Sequence, residues 1–313
     1  MILAPLRGVT IRCFRETFAD EIRAAGFNEA ITPFITANAG CDPMKDREIG
    51  SRSNRFGTSG EDADSPLHGH VKSGEAASSP LHFKVTPQFI GKDPVALRHC
   101  LEKVKAAGYD TADLNCGCPF PMVRNKGRGS GILRTPDVLR RMLEVGCETM
   151  GAGKFSIKAR LGVDRNDELL KLMPLINEFP LRFLTVHART ARQMYGGSCE
   201  VEKLREVESV ARVPIVENGD VEFPISDKRR DAASPLRDVM IGRSFVRWLG
   251  TREDSGELLE RYIAASQAEL CGDRPVLGRM KELIAYWKDL PQWRRRWDVI
   301  KICRTVDELK AII

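Results

Sequence analysis

Eight short apolar runs, separated by amphipathic stretches, predict an α/β fold for most of this 313-residue chain, namely a (β/α)8 TIM barrel. The runs are rich in β-branched residues, which is typical of strands. The stretches between them repeat apolar residues at the spacing of a helix. Eightfold alternation of strand and helix is the pattern of such a barrel. No strand pattern returns after about Phe245, and a small all-helical C-terminal domain is therefore predicted to follow the barrel.

The predicted strands are short and follow one another along the chain. They are ILAP (2–5), EAITPF (29–34), FKVTPQFI (83–90), DTADLN (110–115), FSIKAR (155–160), RFLTVH (182–187), VPIVEN (213–218) and DVMIGR (238–243). Two of the intervening stretches, 93–108 and 135–150, show clear helical spacing. Beyond the barrel, the same spacing predicts helices at 256–270, 276–290 and 306–313. The predicted domains are therefore a barrel at 1–245 and a helical domain at 246–313.

The segment at 50–80 breaks the alternation and is predicted to be a long exposed loop inserted in the barrel. It is rich in Ser, Gly and charge, without a helix or strand period. It repeats SPLHGHV (65–71) as SPLHFKV (79–85), which brings His68, His70 and His82 close together in sequence. A His-x-His pair in such a loop lacks the cysteine or carboxylate partners that zinc usually takes. No metal site is predicted.

Composition and cysteine usage indicate a cytoplasmic protein. Apolar residues make up 42% and charged residues 29% of the chain, as in ordinary globular proteins. The first residues lack a basic segment ahead of an apolar stretch, so no signal peptide is predicted. No run of 18 apolar residues exists, which predicts no membrane association. Nine cysteines scattered through a long chain do not resemble a disulfide framework. We expect a cytoplasmic monomer.

Polar side chains stand at the C-terminal ends of the predicted strands, and these ends form the active face of a (β/α)8 barrel. A single such residue could be a strand-end cap or an ion-pair partner, but six or more on one side indicate a site. They are Gln88, Asn115, Lys158, Arg160, His187, Asn218 and Arg243. The glycine-containing segments NGD (218–220) and IGRS (241–244) follow the seventh and eighth strands, where such barrels commonly bind phosphate. The alternative is that Gly219 and Gly242 only make turns.

Two cysteines, Cys116 and Cys118, lie in DLNCGCPFP (113–121), just after the fourth predicted strand. With no second cysteine cluster, the pair cannot complete a metal site. A disulfide between residues two apart would be strained and out of place in a reducing compartment. A thiol near the barrel mouth remains, and Pro119 restricts the backbone of Cys118. An ordinary thiol, with a pKa of about 8.5, is mostly protonated at neutral pH. It can act as a general acid or as a nucleophile.

The motifs together resemble the tRNA-dihydrouridine synthases. They are LAPLRGVT, TPQFIG, DLNCGCP, RGSGILR, IKARLG, TVHARTARQMYGG, PIVENGD and MIGR, in the order and at the spacing of that family over nearly all of residues 1–250. The resemblance implies a barrel that binds FMN and reduces a uridine of folded tRNA to 5,6-dihydrouridine. It also implies that NADPH is the electron donor, tRNA the partner, and that reduced FMN gives hydride to C6 while Cys118 gives a proton to C5.

The resemblance also implies roles for individual residues. Flavin-ring contacts are expected from Pro5, Leu6, Arg7 and Gln88, and contacts to the polar edge of the ring from Lys158 and His187. The phosphate end of FMN is expected to lie against Asn218, Gly219, Asp220, Gly242 and Arg243. Cys118 is the expected proton donor, and Asn115 and Arg189 are expected near the substrate base.

Three features depart from the family pattern. Many relatives carry a lysine three residues after the catalytic cysteine, where this chain has Pro121. The helix between the seventh and eighth strands is compressed into residues 223–237, and the loop at 50–80 is longer than expected. The last feature could alter how tRNA docks.

The C-terminal helices carry the net charge of the chain. Between Arg274 and Arg304 there are nine Lys or Arg and three acidic residues, and the chain as a whole has a formal charge of +6. Trp287, Trp293 and Trp297 are interleaved with these charges and could form a small core. Basic clusters bind phosphate backbones, so tRNA contacts are predicted for Arg294, Arg295 and Arg296.

Two other functions compete with this one. A different FMN barrel oxidoreductase, acting on a free metabolite such as a dihydropyrimidine, would leave the basic C-terminus unexplained. A tRNA-binding protein without catalytic activity would leave Cys118 and the predicted flavin contacts unexplained.

Overall fold

The computed structural model describes residues 1–49, 83–225 and 238–313. The predicted loop at 50–80, His68, His70 and His82, and most of the compressed segment 223–237 lie outside these residues. The described residues form a parallel sheet, the helices that surround it and a set of C-terminal helices.

The sheet contains ten strand segments, all paired in parallel. They are β1 (Ile2–Leu3), β2 (Glu29–Ile31), β3 (Ile35–Thr36), β4 (Lys84–Thr86), β5 (Gln88–Ile90), β6 (Ala112–Cys116), β7 (Phe155–Gly162), β8 (Leu184–Thr190), β9 (Ile215–Asn218) and β10 (Val239–Ile241).

The ten segments close into a ring of eight barrel strands. Pro33 separates β2 from β3, and Pro87 separates β4 from β5, because proline has no N–H for the ladder. β2 pairs with β4 and β3 with β5, so each interrupted pair acts as one strand. β10 pairs with β1, which completes the ring. The predicted (β/α)8 barrel is confirmed.

Helices surround the barrel between the strands. They are α1 (Arg12–Thr17), α2 (Ala19–Ala24), α3 (Pro94–Ala106), α4 (Pro121–Arg124), α5 (Pro136–Met150), α6 (Glu168–Ile176), α7 (Val201–Val210) and α8 (Arg243–Leu249). Helix α3 begins where its sequence indicates, because the Asp93 carboxylate accepts hydrogen bonds from the N–H groups of Val95 and Ala96. Short 3-10 turns lie at Pro43–Lys45 and Gly129–Arg134.

Four helices follow the barrel: α9 (Ser255–Glu269), α10 (Asp273–Ile284), α11 (Pro291–Ile300) and α12 (Val306–Lys310). The helix expected at 276–290 ends at Ile284, and α11 was not predicted. The apolar spacing of α11 is weak in the sequence, because only Trp293 and Ile300 are buried and three consecutive arginines lie between them. Proline at its first position is a common start for a helix.

The C-terminal helices share one apolar core with the first helices of the chain. The ring of Tyr262 on α9 lies 6.0 Å from that of Phe14 and 5.3 Å from that of Phe18. Trp287 and Trp293 are fully buried, and their ring N–H groups donate to the carbonyls of Val246, in the middle of α8, and Gly250, directly after it. The boundary predicted at residue 245 lies inside α8, and the division into two domains stays a prediction.

Candidate active site

The register of the sheet brings the polar strand-end residues to nearly one level. Asn115 is paired with Lys158 across β6 and β7, and His187 with Asn218 across β8 and β9. Arg160 is paired with His187. Because all strands are parallel, these side chains meet at the carboxyl-end mouth of the barrel, as the sequence predicted.

Strand β6 carries alternate residues to opposite faces, as strands do. Leu114 and Cys116 point into the apolar core between the sheet and the outer helices. Asp113 and Asn115 point the other way, where both are buried and hydrogen-bonded. The alternation explains why DLNC contains two apolar and two polar positions.

Three buried side chains form a hydrogen-bonded chain that ends at the Cys118 backbone. Gln88 Nε2 donates to Asp113 Oδ2 at 2.8 Å, and Asn115 Nδ2 donates to Gln88 Oε1 at 2.8 Å. Asn115 Oδ1 accepts from the N–H groups of Gly117 at 3.1 Å and Cys118 at 2.8 Å. Gln88, expected to contact the flavin ring, is therefore fully buried and bonded at both ends of its amide.

The two thiols differ sharply in their surroundings. Cys116 is 0% exposed and lies in the core, where burial raises its pKa. Cys118 is 7% exposed and lies in the loop after β6. Burial raises the pKa of Cys118, while the Phe120 N–H and the charges of Arg160 and Arg7 act in the opposite direction. The Cys118 thiol is therefore protonated at neutral pH, as a proton donor must be.

The segment RGSG holds the other side of Cys118. The Cys118 carbonyl accepts from the Ser130 N–H at 3.1 Å and from the Ser130 hydroxyl at 2.9 Å. Gly129 has a φ of +56°, and a Cβ on it would lie 2.7 Å from the Cβ of Cys118. Glycine is thus required for this close approach. The sequence analysis used these residues only as part of a motif and gave them no structural role.

Lys158 is held beneath the mouth by the residue that ends β9. Its ammonium donates to Asn218 Oδ1 at 2.7 Å, and Asn218 Nδ2 donates to the Met240 carbonyl at 2.8 Å. Burial lowers the pKa of Lys158 to about 7, and the charges of Arg160 and Arg243 add to the effect. The charge of Lys158 is therefore sensitive to pH in the neutral range.

His187 is a buried neutral imidazole. Burial, followed by the charges of Lys158 and three arginines, holds its pKa well below the ordinary value. Its Nε2 lies 3.2 Å from Arg189 Nη1. Because a guanidinium can only donate, Nε2 is the acceptor and the ring proton of His187 is on Nδ1.

Arg189 is committed to contacts within the protein. It donates to both carboxylate oxygens of Asp220, at 2.9 and 2.6 Å, and to the carbonyls of Gly196 and Gly197. It also lies 3.0 Å from the sulfur of Cys199, which the sequence analysis did not single out. These contacts fix the loop after β8 against the loop after β9.

Gly219 and Gly242 both stand at close approaches. A Cβ on Gly219, whose φ is +132°, would collide with the Cys199 sulfur. A Cβ on Gly242 would lie 3.0 Å from that of Ala4, in the loop that follows β1. Packing alone therefore requires glycine at position 219 and favours it at position 242, and phosphate binding by the two stays a prediction.

An aromatic ring lies between two guanidinium groups at the rim. Tyr195 is 46% exposed, and its ring centroid lies 5.4 Å from Arg160 and 5.0 Å from Arg243. Arg160 is buried and donates to the Gly117 carbonyl at 2.9 Å. Sequence analysis did not identify Tyr195, whose two partners are 35 and 48 residues away in the chain.

The loop after β1 closes the remaining side of the mouth. Pro5 and Leu6 are half-buried, while Arg7 is exposed and lies 5.5 Å from the ring centroid of Phe34. Helix α10 packs against this loop. Its Glu282 carboxylate lies so close to Gly8 that a Cβ on Gly8 would collide with it.

The predicted tRNA contacts at the C-terminus are not joined to the mouth by a direct contact among the described residues. Arg294 and Arg295 are exposed, and Arg296 lies 5.3 Å from the ring centroid of Trp293. The ring N–H of Trp293 on α11 donates to the carbonyl of Gly250, directly after the C-terminal end of α8. Arg243, at the mouth, is the first residue of α8, at its opposite end.

Neither a metal centre nor a membrane span is found in residues 1–49, 83–225 and 238–313. No group of three His, Cys, Asp or Glu is placed to hold an ion there. Within the same ranges, no helix is both long enough and apolar enough to cross a bilayer.

Solved structures share the fold at low sequence identity. An old yellow enzyme homologue from Zymomonas mobilis aligns with a TM-score of 0.50 and 11% identity, over 79% of this chain and 85% of that protein. Morphinone reductase gives the same score and identity over 79% of this chain and 82% of its own. At such identity the comparison supports the barrel fold and nothing more.

Curated relatives of this chain include several tRNA-dihydrouridine synthases. The tRNA-dihydrouridine synthase B of Pseudomonas aeruginosa is 25% identical over 78% of this chain, and that of Vibrio cholerae is 27% identical over 78%. The match spans slightly less than two thirds of these relatives, 65% and 66% of their lengths. The tRNA-dihydrouridine(16) synthase of Pseudomonas putida is 29% identical over 63% of this chain and 67% of its own length. The dihydrouridine synthase family model matches residues 62–248, more than half of the chain, and the chain therefore belongs to that family.

Proposed function

We propose that this protein is an FMN-dependent tRNA-dihydrouridine synthase, which reduces a uridine of tRNA to 5,6-dihydrouridine with NADPH as the electron donor. The observation that carries the proposal is the protonated thiol of Cys118 beside the cation-lined mouth of a barrel of this family. Reduction of a carbon–carbon double bond needs a hydride at one carbon and a proton at the other.

The charges at the mouth suit an anionic cofactor with a phosphate. Lys158, Arg160, Arg189 and Arg243 converge there, and among the described residues Asp220 is the carboxylate that pairs with two of them. The polar edge of the flavin ring would lie against Lys158 and neutral His187, and its phosphate against Asn218, Gly219, Asp220, Gly242 and Arg243. Pro5, Leu6 and Arg7 would line the ring from the first loop, with Gln88 beneath.

The thiol of Cys118 completes the reduction. When bound, FMN supplies the hydride that adds to C6 of the uracil ring. Cys118 gives its proton to C5, so one hydride and one proton convert uridine to dihydrouridine. The thiolate that remains lies near the positive charges of Arg160 and Arg7, which stabilise it until solvent returns a proton.

The substrate base must leave its stack to reach the mouth, as bases do in other enzymes that modify them. Asn115 and Arg189 lie at the mouth, where such a base would enter. We assign residues 246–313 to tRNA binding, with Arg294, Arg295 and Arg296 on the phosphate backbone. The exposure of Arg294 and Arg295 supports this assignment.

The test is reconstitution with FMN, followed by NADPH and tRNA from a strain that lacks the protein. Dihydrouridine measured by mass spectrometry should appear only when all components are present. Reduction of free uracil with no product in tRNA would instead favour an FMN reductase of free pyrimidines. Binding of tRNA by a protein that cannot take up FMN would favour a non-catalytic role.

A further inference from the structure

We propose that Asp113 is a positioning residue that acts through Gln88 and Asn115 to hold the Cys118 backbone where its thiol can reach the substrate. The inference rests on the proposed function, because it takes Cys118 as the proton donor. Asp113 does not touch Cys118, and the hydrogen-bonded chain through Gln88 and Asn115 connects the two.

The two ends of the hydrogen-bonded chain fix the orientation of the side-chain amides of Gln88 and Asn115, which lie between them. Backbone N–H groups can only donate, so Asn115 must present Oδ1 to Gly117 and Cys118. Its Nδ2 then faces Gln88, which must present Oε1. The remaining end of Gln88 is Nε2, and this donor needs an acceptor. The carboxylate of Asp113 is that acceptor.

Burial makes the last link necessary. Asp113 and Gln88 are both 0% exposed, so without an acceptor at position 113 the Gln88 donor would be left unpaired in the protein interior. An unpaired buried donor is strongly unfavourable, and rotation of the Gln88 amide toward another partner would relieve it. Rotation would place Nε2 against Asn115 Nδ2, donor against donor, and would release the Cys118 N–H.

The carboxylate is held in place and stays charged at neutral pH. Its second oxygen accepts from the Ser156 hydroxyl at 2.6 Å. Burial raises the pKa of Asp113 to about 6, while hydrogen bonds from Ser156 and Gln88 and the charge of Lys158 act in the opposite direction. The charged groups that act on it are Lys158, on the neighbouring strand β7, and Glu29, on β2.

The test compares three variants in the FMN-loaded protein. Asp113→Ala removes the acceptor, Asp113→Asn keeps one in its amide oxygen, and Ser156→Ala removes only the other partner of the carboxylate. For Asp113→Ala we expect single-turnover conversion of tRNA to fall roughly 10–100-fold, since a small misplacement of a reacting group has effects of this order. The KM for tRNA and the rate of flavin reduction by NADPH should be unchanged. Asp113→Asn and Ser156→Ala should stay within about threefold of the wild type, because both keep the acceptor for Gln88.

A second measurement reports on the thiol itself. The alkylation rate of Cys118 by iodoacetamide, followed by peptide mass spectrometry, should change in Asp113→Ala and not in Asp113→Asn. If Asp113→Ala does not fold, Asp113→Val is measured instead, because valine suits a strand and fills more of the space that the aspartate leaves. A wild-type conversion rate and alkylation rate in the apolar variant would overturn the inference, as would equal defects in Asp113→Asn and Asp113→Ala. Failure of the wild-type protein to make dihydrouridine would instead refute the proposed function, and alkylation would still test the positioning.

Discussion

Cys116 and Cys118 are two residues apart, yet only Cys118 lies where a substrate could meet it. Strand β6 turns Cys116 into the apolar core, and the loop that follows turns Cys118 toward Arg160 and Arg7. Sequence spacing alone left both thiols open, because the end of β6 decides which residue still follows the alternation of the strand, and the family resemblance assigned the proton to Cys118.

We expect Cys118→Ala to accept hydride from NADPH at the wild-type rate, since that step needs only the flavin. Its conversion of tRNA should fall by about 10²–10⁴-fold, the usual cost of losing a general acid. Cys116→Ala should convert tRNA at nearly the wild-type rate. Stopped-flow flavin spectra and dihydrouridine analysis separate the two steps. The opposite pattern would make Cys116 the proton donor.

The pKa of Lys158 predicts that the affinity of the protein for FMN depends on pH. That pKa is lowered to about 7, so the free protein loses the ammonium charge as pH rises above 7. Dianionic FMN favours the charged form, so its binding takes up a proton. Affinity should therefore fall with rising pH, by up to about tenfold per pH unit between about pH 7 and 9.

Fluorescence titration of FMN across this range measures the effect. Lys158→Met should bind FMN weakly with little pH dependence. Lys154→Met, four residues earlier and exposed, is the matched control and should keep the wild-type slope. The assignment of Lys158 fails if its variant retains both the affinity and the slope.

At the scale of elements, the barrel strands were predictable because strands of a closed parallel barrel are buried on both faces and appear as continuous apolar runs. The interruptions at Pro33 and Pro87 did not hide them. Helix α11 was not predicted, because Arg294, Arg295 and Arg296 outnumber the apolar residues that mark its buried face. Contacts between distant segments, such as Tyr195 in the loop after β8 with Arg243 at the start of α8, leave no periodic trace in the sequence.

Helix α11 buries Trp293 and leaves Arg294 and Arg295 exposed, and this geometry carries a prediction. Changing Arg294, Arg295 and Arg296 together to Ala should weaken tRNA binding. The slope of the logarithm of tRNA affinity against the logarithm of salt concentration should also become shallower, by about 0.7–0.9 for each phosphate group that the variant no longer binds. Flavin content and reduction by NADPH should not change. Filter binding across a salt series measures the slope.

The matched control also removes three positive charges. Arg98, Arg140 and Arg205 lie on α3, α5 and α7; the first two are half-buried, Arg205 is exposed, and each pairs with a glutamate. Their triple alanine variant should keep the wild-type slope. Equal salt-dependence slopes for the α11 variant and the wild type would show that Arg294, Arg295 and Arg296 do not touch the RNA backbone.

For the whole molecule, the sequence predicted both the barrel and the helices after it, but not that the two share a core. The rings of Phe14, on α1, and Phe18, between α1 and α2, lie against Tyr262 on α9. Arg12 on α1 pairs with Glu269, also on α9. Contacts between residues about 250 positions apart depend on how the barrel closes, and neither periodicity nor composition reveals them.

A chain that ends at residue 250 should therefore fail to fold into a stable barrel. It would expose Phe14 and Phe18, and burial of such a side chain is worth about 1.5–3 kcal/mol. Total stability is usually about 5–15 kcal/mol, so loss of this shared core removes much of it. Circular dichroism melting and gel filtration test the prediction. A soluble truncated barrel with an unchanged melting temperature would show instead that the two predicted domains fold independently.

The pairing of β1 with β10 also determines how long β1 remains unpaired while the chain is being synthesised. Ile2 is synthesised long before its partner Met240, which is among the last residues of the barrel. At about 5–20 residues per second, β1 waits roughly 12–50 s for this neighbour. Phe14 on α1 waits longer still, until Tyr262 is made. While the rest of the barrel is being made, β1 and α1 therefore expose apolar side chains that are buried in the folded protein, which makes this segment a target for chaperones that protect growing chains.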